Sequence, residues 1–155
     1  MPDTQLLTLL DTDIEACSRL AELLEQEFSA LNERRLEELQ ELLSEKQPIL
    51  DSLAQNASLR SQILQQHGQS ADAEGFAAFA GRSNLSASLQ SSHQRLHELM
   101  EQCQSANLRN GRLIRTNQVS VGNALSILRG NDGPSLYDSS GSTAHKGMQR
   151  SFTRA

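Results

Sequence analysis

From Leu6 to Leu31 the chain places an apolar residue every three or four positions, at Leu6, Leu10, Ile14, Cys17, Leu20, Leu24, Phe28 and Leu31. Steps of three and four return to one side of an α-helix and to no side of a β-strand, so this stretch predicts a long helix with one buried stripe. Either Asp3 or Thr4 can cap its start. Asp13, Glu15, Glu22, Glu25 and Glu27 fall between the apolar positions and are expected on its solvated face.

The same periodicity returns twice. A second helix is expected after a junction near Asn32, with Leu36, Leu39, Leu42, Leu43, Ile49, Leu50, Leu53, Leu59, Ile63 and Leu64. Pro48 lies inside it, lacks the N–H that would bond four residues back, and predicts a kink near 44–48. Lys46 sits close to the stripe and is expected to keep its ammonium in water. Residues 67–83 turn to Gly, Ala and Ser, with Phe76 and Phe79 on a small helix that they pin to the bundle. A third long helix follows with Leu85, Leu89, Leu96, Leu99, Met100 and Cys103, and runs on towards Leu128. Forty-five such residues would span about 68 Å.

The expected architecture is therefore all-α: an elongated antiparallel bundle or coiled coil of three long helices with a short connector helix. The helices fall at about 4–31, 33–66, 73–80 and 85–128, forming one domain over 1–129, and a flexible tail occupies 130–155. The tail is rich in Ser and Gly and holds too little apolar surface to fold alone.

Composition excludes more than it assigns. The chain has 155 residues, is 37% hydrophobic and 3% aromatic, has no Trp, and carries a formal charge of −5. The charge divides into −8 over 1–66, −2 over 67–106 and +5 over 107–155. Either the two halves pack and neutralise each other, or the basic end meets a partner or an anionic surface. An acidic chain whose basic end has almost no aromatics is a poor nucleic-acid binder. Cys17 and Cys103 stand at apolar positions, as small core residues of a reducing compartment. No signal peptide and no membrane-length apolar run is present, which points to the cytoplasm. His93 and His97 are four apart, yet H-Q-R-L-H has neither the zincin glutamate nor a third ligand nearby. No phosphotransfer histidine pattern, phosphate loop or nucleophile elbow occurs either, so no catalytic residue, metal or cofactor is expected.

Residues 107–128 depart from the regular stripe. Leu113, Ile114, Val121, Leu125 and Leu128 keep helical spacing, but Asn107, Asn110 and Asn117 fall on or beside the stripe, where an amide must find a partner. Gly111 weakens a helix by about 1 kcal/mol relative to alanine. The pattern predicts a recognition helix of marginal stability that offers a half-polar face to another helix. Covering of the same stripe by the first helix, or its use in self-association as a coiled-coil scaffold, also fits the pattern.

The motifs N-x-x-N-G-x-L-I at Asn107–Ile114, A-L-x-x-L at Ala124–Leu128, and L-Y followed by glycine at Leu136, Tyr137 and Gly141 resemble the C-terminal signature of the FlgN family. Those proteins are flagellar export chaperones for hook-filament junction proteins. E-K-x-x-I-L-x-x-L at Glu45–Leu53 is similar to the second helix of that family. The resemblance implies a cytoplasmic type III export chaperone that binds the C-terminal helical segment of hook-associated proteins, with Asn107, Asn110, Gly111, Leu113, Ile114, Asn117, Val121, Leu125 and Leu128 as client contacts. It further implies docking at the cytoplasmic domain of the export gate and contact with the export ATPase complex. Tyr137 is by itself either a clasp onto the bundle or an exposed anchor; the resemblance favours Leu136 and Tyr137 as the gate contact.

Overall fold

A computed structural model describes the backbone of residues 1–129 and the side chains of residues 1–116. The described residues form four helices: α1 (Pro2–Asn32), α2 (Leu36–Gln66), α3 (Ala73–Gly81) and α4 (Ser86–Arg129). No strand occurs among the described residues. The chain divides into two units, Met1–Gly111 and Arg112–Ala155.

In the first unit, α1 begins earlier than a cap at Asp3 or Thr4 would place it: Met1 is the cap and Pro2 lies in the first turn, where a missing N–H costs nothing. Asp3 instead accepts from the Thr4 N–H at 2.9 Å and from the Ser83 hydroxyl at 2.8 Å, tying the start of α1 to the approach to α4. The hairpin between α1 and α2 turns at residues 33–35, where Arg34 takes a left-handed φ of 56° and the Arg35 N–H bonds the Ala30 carbonyl. Helix α2 runs through Pro48 without a break.

The polar contacts give the direction of each helix. Ser83 meets Asp3, Ser92 meets Asp11, Cys103 meets Cys17, and Asn110 meets Leu24, so α1 and α4 run parallel. Asn56 and Arg60 meet Asp13, whereas Lys46 meets Glu27, so α2 runs antiparallel to α1. This is an up–down–up bundle. One end of its core unites Leu6, Leu10, Cys17, Leu64, Leu89, Leu96 and Leu99 with Phe76 and Ala80 of α3. Further along, Leu20, Leu24, Cys103 and Ala106 pack together, and Leu23, Ala30 and Leu42 close the hairpin end. Each fully buried leucine contributes on the order of 1.5–3 kcal/mol.

Helix α3 is fastened at both ends of its short length. Asp72 caps it by accepting from the Gly75 N–H at 2.8 Å. Gly75 itself has no room for a side chain, since a Cβ there would lie 1.8 Å from the Ser70 carbonyl oxygen. Phe76 is buried and stacks on His93 with ring centres 4.1 Å apart, while the half-buried Phe79 meets His67 edge-on.

Several side chains lie elsewhere than the spacing predicts. Asp13 and Glu27, expected in solvent, are 0% and 7% exposed, and Lys46 is buried rather than snorkelling. Of the α2 leucines, Leu42 and Leu64 are buried, but Leu36, Leu43, Leu50 and Leu59 are exposed, as is Met100 of α4. The reason is geometric. Apolar residues lie almost all around α2, and only the side facing α1 and its neighbours is covered. The cysteines are free thiols, as their apolar settings indicate; burial and hydrogen bonding, the thiol–thiol contact first, push the Cys17 thiol well above its ordinary range.

Candidate functional site: the far end of α4

Down to Asn110, α4 presents a continuous buried row of Leu89, Leu96, Leu99, Cys103, Ala106 and Asn110. The last of these is the least apolar and among the most buried. Its side-chain N–H groups donate to the Leu24 carbonyl at 2.8 Å and to Glu27 Oε1 at 2.9 Å, and its oxygen accepts from the Arg109 Nε–H at 3.2 Å. Glu27 Oε2 receives the Lys46 ammonium at 2.5 Å. One acid thus joins α1 to α2 through Lys46 and to α4 through Asn110. A buried carboxylate is tolerable only with such partners, because an unpaired charge there loses several kcal/mol of hydration. Asp13 repeats the device further down, held by Arg60 and by the Asn56 amide at 2.8 Å.

Arg109 closes the outside of this joint. Its guanidinium lies over the Phe28 ring, 3.9 Å from the centroid, and pairs with Glu25 at 3.1 Å. The cation–π contact and the ion pair hold α4 to the end of α1 from the solvent side.

Asn110, expected to hydrogen-bond a client, therefore spends both amide hydrogens inside the chain and sets the register of α4 against α1. Asn107 is exposed. Gly111 is half-buried, and a Cβ there would meet nothing within 4 Å. In the second unit Leu113, Ile114 and Arg115 are half-buried, and Thr116 bonds back to the Arg112 carbonyl at 3.0 Å. The side chains of Asn117, Val121, Leu125 and Leu128 lie outside the described residues, although α4 itself continues to Arg129; Leu136 and Tyr137 lie outside them altogether.

The two histidines of α4 are engaged within the chain. His93 is stacked on Phe76 and His97 pairs with Glu101 at 3.0 Å. Among the described residues no three His, Cys, Asp or Glu side chains converge as a metal site, and no helix is long and apolar enough to cross a membrane.

The family profile described as FlgN protein matches residues 1–145. The chain belongs to the FlgN family. A crystal structure of a candidate flagella synthesis protein FlgN from Pseudomonas aeruginosa is 44% identical to it, with a TM-score of 0.68, covering 79% of this chain and 94% of that one. No curated protein matches. This FlgN chain is accordingly a flagellar-assembly protein with an all-helical fold. Glu27, Lys46, Asp13 and Arg60, which organise its interior, escaped the periodicity because charged residues are ordinarily assigned to water. The one available signal was Lys46 falling near a leucine stripe.

Proposed function

We propose that this protein is an export chaperone of the flagellar type III pathway, acting in the cytoplasm, which takes up the C-terminal helical segment of hook-filament junction proteins on the far end of α4. One observation carries the proposal: the core row of α4 is buried down to Asn110 and only half-buried at Leu113 and Ile114. A helix anchored on one side and incompletely covered on the other suits capture of an amphipathic helix. Leu113, Ile114, Val121, Leu125 and Leu128 supply apolar contact, and Asn107 and Asn117 supply hydrogen bonds. Asn110 and Gly111 act differently: the first anchors α4, and the second weakens it where capture begins. Keeping the client's apolar face covered prevents premature association. Leu136 and Tyr137 then serve the cytoplasmic domain of the export gate, with the export ATPase complex as a further partner.

The test is calorimetric titration with a C-terminal fragment of a junction protein. Three proteins are compared: the full chain, a chain ending after Arg129, and the full chain carrying Val121→Asp and Leu125→Asp. Truncation after Cys103 is unsuitable, since it also removes Arg109 and Asn110 and so the joint to α1. Binding that survives loss of the tail and falls by about 2–4 kcal/mol in the double variant is the expected outcome. The shortened chain should in turn lose affinity for the gate domain. Failure of the full chain to bind any junction protein of its own cell would refute the chaperone assignment.

A further inference from the structure

Helix α2 carries a second surface that the bundle does not use. Leu36, Leu43 and Leu50 are 72%, 60% and 44% exposed. They are seven residues apart, so all three project within about 40° of one another along the helix. Gln40, Gln47 and Ala54 fall on the same line and are exposed as well. Leucine at heptad spacing on an exposed face is the pattern of a helix that receives another helix.

Charge says which kind. Most ionic groups of α2 are already matched: Glu38 with Arg35, Glu45 with Arg19, Lys46 with Glu27 and Arg60 with Asp13. Glu37, Glu41 and Asp51 are the exceptions. Among the described residues none of the three has a cation within ion-pair distance, and Asp51 accepts only the Gln47 amide. Glu37 and Asp51 flank the leucine row on its solvent side, with Glu41 further round; Glu37, Glu41 and Leu36 line one open depression together with Arg35 and Glu38. A second copy of this chain is the wrong occupant. A two-fold pairing would lay the row on itself and bring the same carboxylates face to face.

We infer that the Leu36–Leu43–Leu50 row is a docking surface for a basic amphipathic helix of another protein, one with apolar residues at heptad spacing and Lys or Arg beside them. The surface belongs to the first unit and does not depend on α4 beyond Asn110.

The probe is a synthetic helical peptide with leucine at the a and d positions and lysine at e and g, whose lysines oppose its own dimerisation. Controls are the same peptide with glutamate at e and g and a scrambled peptide of equal composition. Each is titrated against the full chain by fluorescence anisotropy at low and physiological salt. The lysine peptide should bind the natural chain, more weakly as salt rises. Leu43→Gln with Leu50→Gln should lower its affinity by about tenfold or more. Glu37→Lys, Glu41→Lys and Asp51→Lys together should abolish it and create binding of the glutamate peptide. All these positions are exposed, and circular dichroism checks that the variants keep the helical fold. Equal binding of the scrambled peptide, indifference to the leucine substitutions, no binding at all, or a dimer of the natural chain that the leucine substitutions dissolve would each overturn the inference.

Discussion

At the scale of single residues, the interior of this protein is held in register by charges rather than by leucines alone. Glu27 is the clearest case, since its two oxygens serve two different helices. Lys46→Met should therefore destabilise the chain by about 3–5 kcal/mol, because it leaves a buried carboxylate without its cation, whereas adding Glu27→Leu should recover most of that loss. Urea unfolding of both variants checks it; equal stability of the single variant and the natural chain would show that Glu27 finds water instead. His93 adds a pH effect. Burial first, then the neighbouring charges of His97 and Arg60, hold its pKa below the ordinary 6.5. The folded chain thus prefers the neutral ring, and the unfolded chain binds the proton more readily. Stability from this source is fully present above 6.5 and is lost as the pH falls through the ordinary imidazole value towards the lowered one. His93→Phe keeps a ring against Phe76 and should flatten that part of the stability profile in a pH series of melts.

At the scale of elements, the three long helices were legible because stripes of three-and-four spacing survive any arrangement of the other helices. Leu6, Leu10, Cys17, Leu20 and Leu24 are buried as their spacing requires. The exposed face of α2 was not legible, because a helix with leucines on many sides does not say which side its neighbours will cover. Gly111 belongs to this scale too. It is helical, and a Cβ would meet no neighbour, so Gly111→Ala should raise the stability of α4 by about 1 kcal/mol. Hydrogen exchange reads this out as slower amide exchange on both sides of position 111. If exchange in α4 is unaltered, glycine is not what limits that helix.

For the molecule as a whole, Cys17 and Cys103 report on cooperativity, since they sit in adjoining core clusters of α1 and α4. Both thiols are buried, so labelling by a thiol reagent at neutral pH should be slow in the native chain and should accelerate together in denaturant, with one midpoint. Two separate midpoints would mean that the bundle does not open as one cooperative unit.

The order of amino acids alone determined the helical class, the number of long helices and the identity of the main stripe, because those follow from interactions between residues three and four apart. Its closing motifs also carried the family. Only the tertiary structure decided that Asp13 and Glu27 are interior, that Lys46 is buried with them, and that Asn110 faces inward. Asn110 and Glu27 are 83 positions apart in the chain, and Asp13 and Asn56 are 43 apart. Whether a charged side chain can leave water depends on a partner that local sequence cannot name, and that partner arrives only when the helices pack.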